Sequence, residues 1–245
     1  MKKIIYIFIF SLVLFIPEVF ACDKEELIKD NYEYLTGIYP EFVLEEKTCE
    51  QIRTIIDNNY VLRKTVVSDD MPEYSPNISG HFSTSYKTVT LHFYDGEGGG
   101  NLVTLDNEWK KLPAFRGNDI LALRFTGPVY YSGSCESYFQ YSTSTTSYRT
   151  TSTASSDNAT VRSNGIGFVY KLPTGDLESL YAYMDVMSTG SGTIAGTYQH
   201  ATKGVSLANA KNYTISAAGL GGVIYHSSTT VRGSYDQMTG ASISV

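Results

Sequence analysis

Histidine, tryptophan, cysteine and long apolar runs are all scarce in this 245-residue chain, which has four histidines, one tryptophan and three cysteines. His81, His92, His200 and His226 are scattered singly, with no Cys/His group at metal-ligand spacing, so no metal site is expected. Neither G-x-S-x-G nor a P-loop occurs, which removes two common nucleophile and phosphate devices. Basic residues are also short: 19 Lys and Arg stand against 25 Asp and Glu, a net charge of −6. Such a protein is poorly suited to nonspecific binding of nucleic acid or anionic lipid. No repeat of fixed period is visible.

The long apolar run stands at the start. Lys2 and Lys3 precede Ile4 to Ile16, and Val19-Phe20-Ala21 puts small residues at the −3 and −1 positions of a cleavage site. Residues 1–21 therefore read as a secretory signal peptide. At 13 residues the run is shorter than the ~20 a spanning helix needs. A protein secreted to the extracellular space or periplasm is expected, beginning at Cys22. Lipoprotein anchoring at Cys22 is the alternative, opposed by the bulk of Phe20. In an oxidising compartment one disulfide is expected among Cys22, Cys49 and Cys135. Cys22–Cys49 would close the N-terminal segment and leave Cys135 free; Cys49–Cys135 stays open.

What is abundant sets the fold class. Leu27, Ile28, Tyr32 and Leu35, then Cys49, Ile52, Ile55 and Ile56, recur at helical spacing, so residues 22–67 read as a helical segment divided at Pro40. Ser68 to Gly80 is a loop by composition. "YKTVTLHFY" alternates as a strand, "DGEGGG" ends it, and "TLDNEWKKL" reads as a short helix capped by Thr104 or Asp106 and stopped at Pro113. Beyond Pro113 the chain becomes a series of short strands rich in its 20 tyrosines, separated by Gly, Pro, Asn and Ser. The expectation is an α+β protein whose larger part is a mainly antiparallel β domain of two packed sheets. Residues 68–187 form its core, and 188–245 either complete it or make a binding module. The sequons at Asn77, Asn158 and Asn212 matter only in a host that glycosylates.

One ordered constellation carries chemistry. Phe115-Arg116-Gly117 is followed 26 residues after Arg116 by Ser142-Thr143-Ser144, and 36 residues after Ser142 by Glu178 in Asp176-Leu177-Glu178. In order and spacing this resembles the arginine, Ser-Thr-Ser and Glu-x-Glu motifs of mono-ADP-ribosyltransferase toxins, over about residues 105–185. The resemblance implies a secreted toxin or effector that transfers ADP-ribose from NAD to a target protein. Arg116 would meet the cofactor phosphates, and Ser142, Thr143 and Ser144 would shape the nicotinamide pocket. Glu178 would stabilise the oxocarbenium-like ribose. Asp176, where the family has Glu or Gln, would orient or deprotonate the acceptor.

Other assignments stay open. The same order recurs as Arg63, Ser83-Thr84-Ser85 and Asp106-Asn107-Glu108. Arg124 is a second candidate arginine, and Asp185 a second candidate acid. The competing class is a noncatalytic secreted β protein: a surface adhesin or binding module, or a membrane-active pore-forming or antimicrobial protein. In the pore-forming version the Ser/Thr-rich stretch 139–163 would insert into lipid, although its alternation fails after Tyr148. A plain reading makes Tyr141 to Ser144 a strand and Thr145 to Ser163 an exposed hydroxyl-rich connection.

Overall fold

The computed structural model describes residues 22–70, 84–216, 223–236 and 238–245. The signal-peptide reading, Asn77, His81 and Ser83 lie outside these residues. Four helices come first: α1 (Lys24–Asp30), α2 (Tyr32–Thr36), α3 (Glu41–Glu46) and α4 (Cys49–Asn58). Asp23 caps α1 by accepting from the Glu26 N–H, and Thr48 and Gln51 form a reciprocal capping box at α4. A disulfide joins Cys22 to Cys49 and leaves Cys135 free and buried.

The strands follow. They are β1 (Val61–Val67), β2 (Lys87–Asp95), β3 (Asn101–Trp109), β4 (Asn118–Thr126), β5 (Val129–Tyr130), β6 (Glu136–Thr143) and β7 (Ser147–Thr153). Next come β8 (Ala159–Arg162), β9 (Gly165–Lys171), β10 (Leu177–Thr189) and β11 (Thr193–Gln199). Helix α5 (Leu207–Lys211), β12 (Thr214–Ile215), β13 (Ile224–Tyr225), α6 (Thr229–Arg232) and β14 (Thr239–Ser244) complete the chain.

Two antiparallel sheets form a sandwich, in agreement with the α+β expectation. The first has the order β1-β2-β3-β10-β6-β7, with β5 also on β10; the second runs β14-β11-β4-β9-β8. Period-two alternation puts Val89, Leu91 and Phe93 of β2, Leu180, Ala182 and Met184 of β10, and Leu121, Leu123 and Phe125 of β4 into one shared core. Gly196 on β11 permits the close approach of the sheets, because a Cβ there would collide with the Leu105 side chain.

Each sheet is also covered on its outer face. Tyr94, Leu102, Tyr138 and Tyr183 of the first sheet pack against Leu35, Tyr39, Val43 and Ile52 of the helices. Ile120, Ala122, Val169 and Ala195 of the second lie beneath Ala201, Tyr213, Ile224 and Tyr235 of the C-terminal segment. The helical layer is fixed by a buried cation. Lys47, 4% exposed, places Nζ 2.8 Å from Asp185 Oδ2 and 3.1 Å from both Glu136 Oε2 and the Tyr138 hydroxyl.

Three expectations fail. The helical segment does not reach residue 67: left-handed Asn59 ends α4 at Asn58, and the β-branched residues of 61–67 run as β1 along β2. "TLDNEWKKL" is no helix: residues 104–109 belong to β3, a central strand between β2 and β10. Val103, Leu105 and Trp109 face the core with the buried Asn107 among them, and that one polar residue hides the strand period. Residues 145–163 are not a connection either. They hold β7 and β8, each the last strand at one edge of its sheet, and edge strands tolerate polar side chains because part of their surface meets water. "DGEGGG" does form a turn, with Gly98 at φ 89° and Gly99 at φ 81°.

Lys47→Met should lower the unfolding free energy by about 3–5 kcal/mol, since Asp185 then loses its counter-charge without water to replace it; urea denaturation measures this. Asp106 gives a pH prediction. Burial, with Glu108 second, raises its pKa from 3.8 to about 7, against an opposing Thr90 hydrogen bond. The folded chain thus keeps a proton that the unfolded chain has lost. The contribution is full at pH values below about 4 and falls as pH rises to about 7. Asp106→Asn should leave stability unchanged near pH 4 and raise it by about 4 kcal/mol at pH 8, as urea denaturation at the two pH values measures.

Candidate functional site

The hydroxyl-rich stretch is shaped by its hairpin. Ser142 and Thr143 end β6, and Thr143 Oγ1 accepts from the Thr146 N–H at 3.1 Å, closing the turn into β7. Ser142 faces the helical side of the sheet, in step with Tyr138 on the same strand. Its Oγ lies 2.6 Å from Ser179 Oγ, where the two residues are register partners of β6 and β10. Glu178 occupies the register shift between Leu177 and Ser179. Ser144, Asp176 and Glu178 are exposed.

The structure therefore brings the Ser-Thr-Ser segment and the acidic triplet side by side. Arg116 sits elsewhere, on the loop from β3 to β4. It lines a hollow of about 550 Å³ with Asn118, Asn158, Lys171 and Val205, and neither Ser142 nor Glu178 is on that wall. The Arg116 Nη1 atom is buried and has no hydrogen-bond partner. Of the other candidates, Arg63 pairs with Asp95 at 2.7 Å. Arg124 donates to the Ser216 carbonyl at 3.0 Å, and Asp185 is held by Lys47.

A larger cleft, about 690 Å³ and open to solvent, lies on the opposite face of β6. It forms because β7 ends one sheet and β8 ends the other without pairing to each other. Register places Tyr148, Thr150 and Ser152 of β7 beside Tyr141, Phe139 and Ser137 of β6. Tyr141 stacks on Tyr148 at 5.0 Å and 29°, and Phe139 on Tyr170 at 4.7 Å and 8°. Tyr148 is 46% exposed, so one aromatic surface faces solvent. Asn158 Nδ2 donates to Ser152 Oγ and to the Val169 carbonyl, both at 3.1 Å. Burial raises the Tyr170 pKa, and its hydroxyl meets Ser137, so this phenol stays neutral at the cleft floor.

Sequence reasoning missed a second cluster. Asp119, fully buried, accepts from the Tyr198 hydroxyl at 2.7 Å and the Ala201 N–H at 2.9 Å, with His200 Nδ1 at 2.9 Å. Next to it, Lys87 Nζ lies 2.9 Å from Asp236 Oδ2, and burial lowers the lysine pKa while Asp236 opposes the shift. Trp109 and His200 meet edge to face at 5.1 Å. The network ties β2, β4 and β11 to the C-terminal segment. Its members are up to 149 residues apart, so no local motif could announce it. Among the described residues, no group of three or more His, Cys, Asp or Glu is placed to hold a metal ion.

No family model and no curated protein matches the chain. A solved structure described as "Structure of the N-terminal domain of PorA" matches with 8% identity, covering 74% of this chain and 96% of that one, at a TM-score of 0.25. A likeness of that size carries no argument about function.

If the Thr143 hydroxyl serves the turn, Thr143→Val should cost about 1 kcal/mol of stability and speed amide exchange at Thr145 and Thr146. Hydrogen-exchange mass spectrometry reads this directly, and unchanged exchange would refute the turn role.

Proposed function

We propose that this protein is a noncatalytic secreted binding module, exported after removal of residues 1–21, whose open cleft holds a carbohydrate chain. One observation carries the reading: the stacked Tyr141 and Tyr148 share a solvent-open wall with Thr150, Ser152 and Asn158. A sugar ring offers an apolar C–H face to an aromatic ring and a rim of hydroxyls to short polar side chains, and this wall supplies both. Its volume of about 690 Å³ lies within the roughly 300–1,000 Å³ of known ligand sites. The exposed Tyr148 adds contact area at little conformational cost.

A second reading retains one supporting observation. Ser142 and Ser179 are register partners, so Glu178 stands beside the Ser-Thr-Ser segment as an ADP-ribosyltransferase toxin would require. In that reading NAD is the substrate, Glu178 and Asp176 act on ribose and acceptor, and Arg116 with Ser142, Thr143 and Ser144 binds the cofactor. The placement of Arg116 in a different hollow and the turn role of Thr143 weigh against it.

A glycan array followed by calorimetry tests the first reading. Tyr148→Ala should weaken the bound glycan about tenfold with an unchanged circular dichroism spectrum, and an array with no bound glycan would remove the proposal. Hydrolysis of an NAD analogue tests the second. Turnover by the wild type that Glu178→Ala abolishes would restore the transferase.

A further inference from the structure

The large cleft continues past its own end. Asn158, Val169, Lys171 and Leu207 line both it and the hollow that holds Arg116, so the two form one groove running from Tyr148 to Arg116. In series they offer more room than a single small ligand needs, which suits an extended chain.

The charge along this groove is opposite to that of the whole molecule. The chain carries a net charge of −6, yet the Arg116 hollow has Arg116 and Lys171 on its wall and no acidic residue. In the adjoining cleft Asp157 is the acidic side chain. The two buried lysines are matched, Lys47 by Asp185 and Glu136 and Lys87 by Asp236, and Arg149 pairs with Glu45. Arg116 Nη1 instead is buried with no acceptor. A guanidinium N–H closed to solvent and without an acceptor is an unfavourable arrangement, which the side chain relieves by turning toward an oxyanion in the hollow it lines. A guanidinium also matches a planar carboxylate in both shape and charge.

We infer that the groove takes an acidic polysaccharide, whose sugar rings lie along Tyr148 and whose carboxylates meet Arg116 and Lys171. This rests on the reading of the cleft as a carbohydrate site, and names the class of carbohydrate. The anion is therefore repeated along a polymer and not carried by a free nucleotide.

The test uses the intact protein with polygalacturonate and hyaluronan, each beside its carboxyl-reduced, neutral form, in affinity electrophoresis and calorimetry at two salt concentrations. At least one acidic polymer should bind about tenfold more tightly than its neutral form, and the difference should shrink at high salt. Arg116→Gln should remove that tenfold on the acidic polymer and leave the neutral one unchanged, whereas Tyr148→Ala should weaken both. If Arg116→Gln does not fold, Lys171→Gln provides the same comparison. Equal affinity for the acidic and neutral forms, or an acidic affinity that neither variant changes, would overturn the inference while leaving the cleft a carbohydrate site. Absence of binding by all four polymers would overturn it while the glycan array decides the carbohydrate reading, and binding of NAD that Arg116→Gln abolishes, without polymer binding, would overturn it too.

Discussion

A lysine buried between helices and sheet orders the rest of the molecule. Lys47 stands at the end of α3, and its ammonium reaches Glu136 and Tyr138 at the start of β6 and Asp185 in β10. It also lies 4.7 Å from the centre of the Tyr39 ring. A buried pair of this kind adds little net stability over an apolar replacement, because desolvation offsets the Coulomb attraction. Its effect is positional: a helix layer slid by one residue would leave two carboxylates without a cation. Since β6 shows Tyr138 to the helices and Phe139 and Tyr141 to the opposite side, the register fixed at Lys47 also fixes which tyrosine faces the cleft.

The cleft in turn follows from how the sandwich ends. A sheet edge exposes unpaired backbone groups, and two edges facing each other would ordinarily close or aggregate. Here β7 carries Ser, Thr and Arg149 on its exposed positions, which keeps the edge solvated, while Tyr170 and Phe139 fill the floor between the sheets. The opening that results is lined by aromatic rings and by hydroxyl and amide side chains together. Side chains that read as a hydroxyl-rich connection in one dimension line, in the fold, the wall of the cleft.

Legibility of the sequence followed the range of the interactions. The N-terminal helices and the short strands after Pro113 rest on local periodicity and were readable, whereas the three cysteines left two pairings open until the fold placed Cys22 on Cys49. Strand β3 was not readable, because Asn107 interrupts an otherwise regular inward row of Val103, Leu105 and Trp109. The pairing of Asp119 with His200 spans 81 residues, so a histidine that stands alone in the sequence gave no sign of its buried partner. The Ser-Thr-Ser motif marks a different limit. A hydroxyl that closes a hairpin and one that lines a cofactor pocket look the same in sequence, and only the geometry of the turn separates them.

The C-terminal segment, which a pattern of strands alone left without a role, acts through the loop that bears Arg116. Gly117 packs so closely on this segment that a Cβ would lie 2.6 Å from the Ala201 side chain. Asn118 donates to the Val205 carbonyl at 2.6 Å, and Val205, Ser206 and Leu207 are themselves part of the Arg116 wall. The position of the guanidinium is therefore set from both sides, by β4 through the strand it begins and by residues 201–207 through direct contact. A groove built this way depends on packing across the second sheet as much as on the residues that touch a ligand. A larger side chain at Ala201 would then displace the Arg116 wall without being part of it.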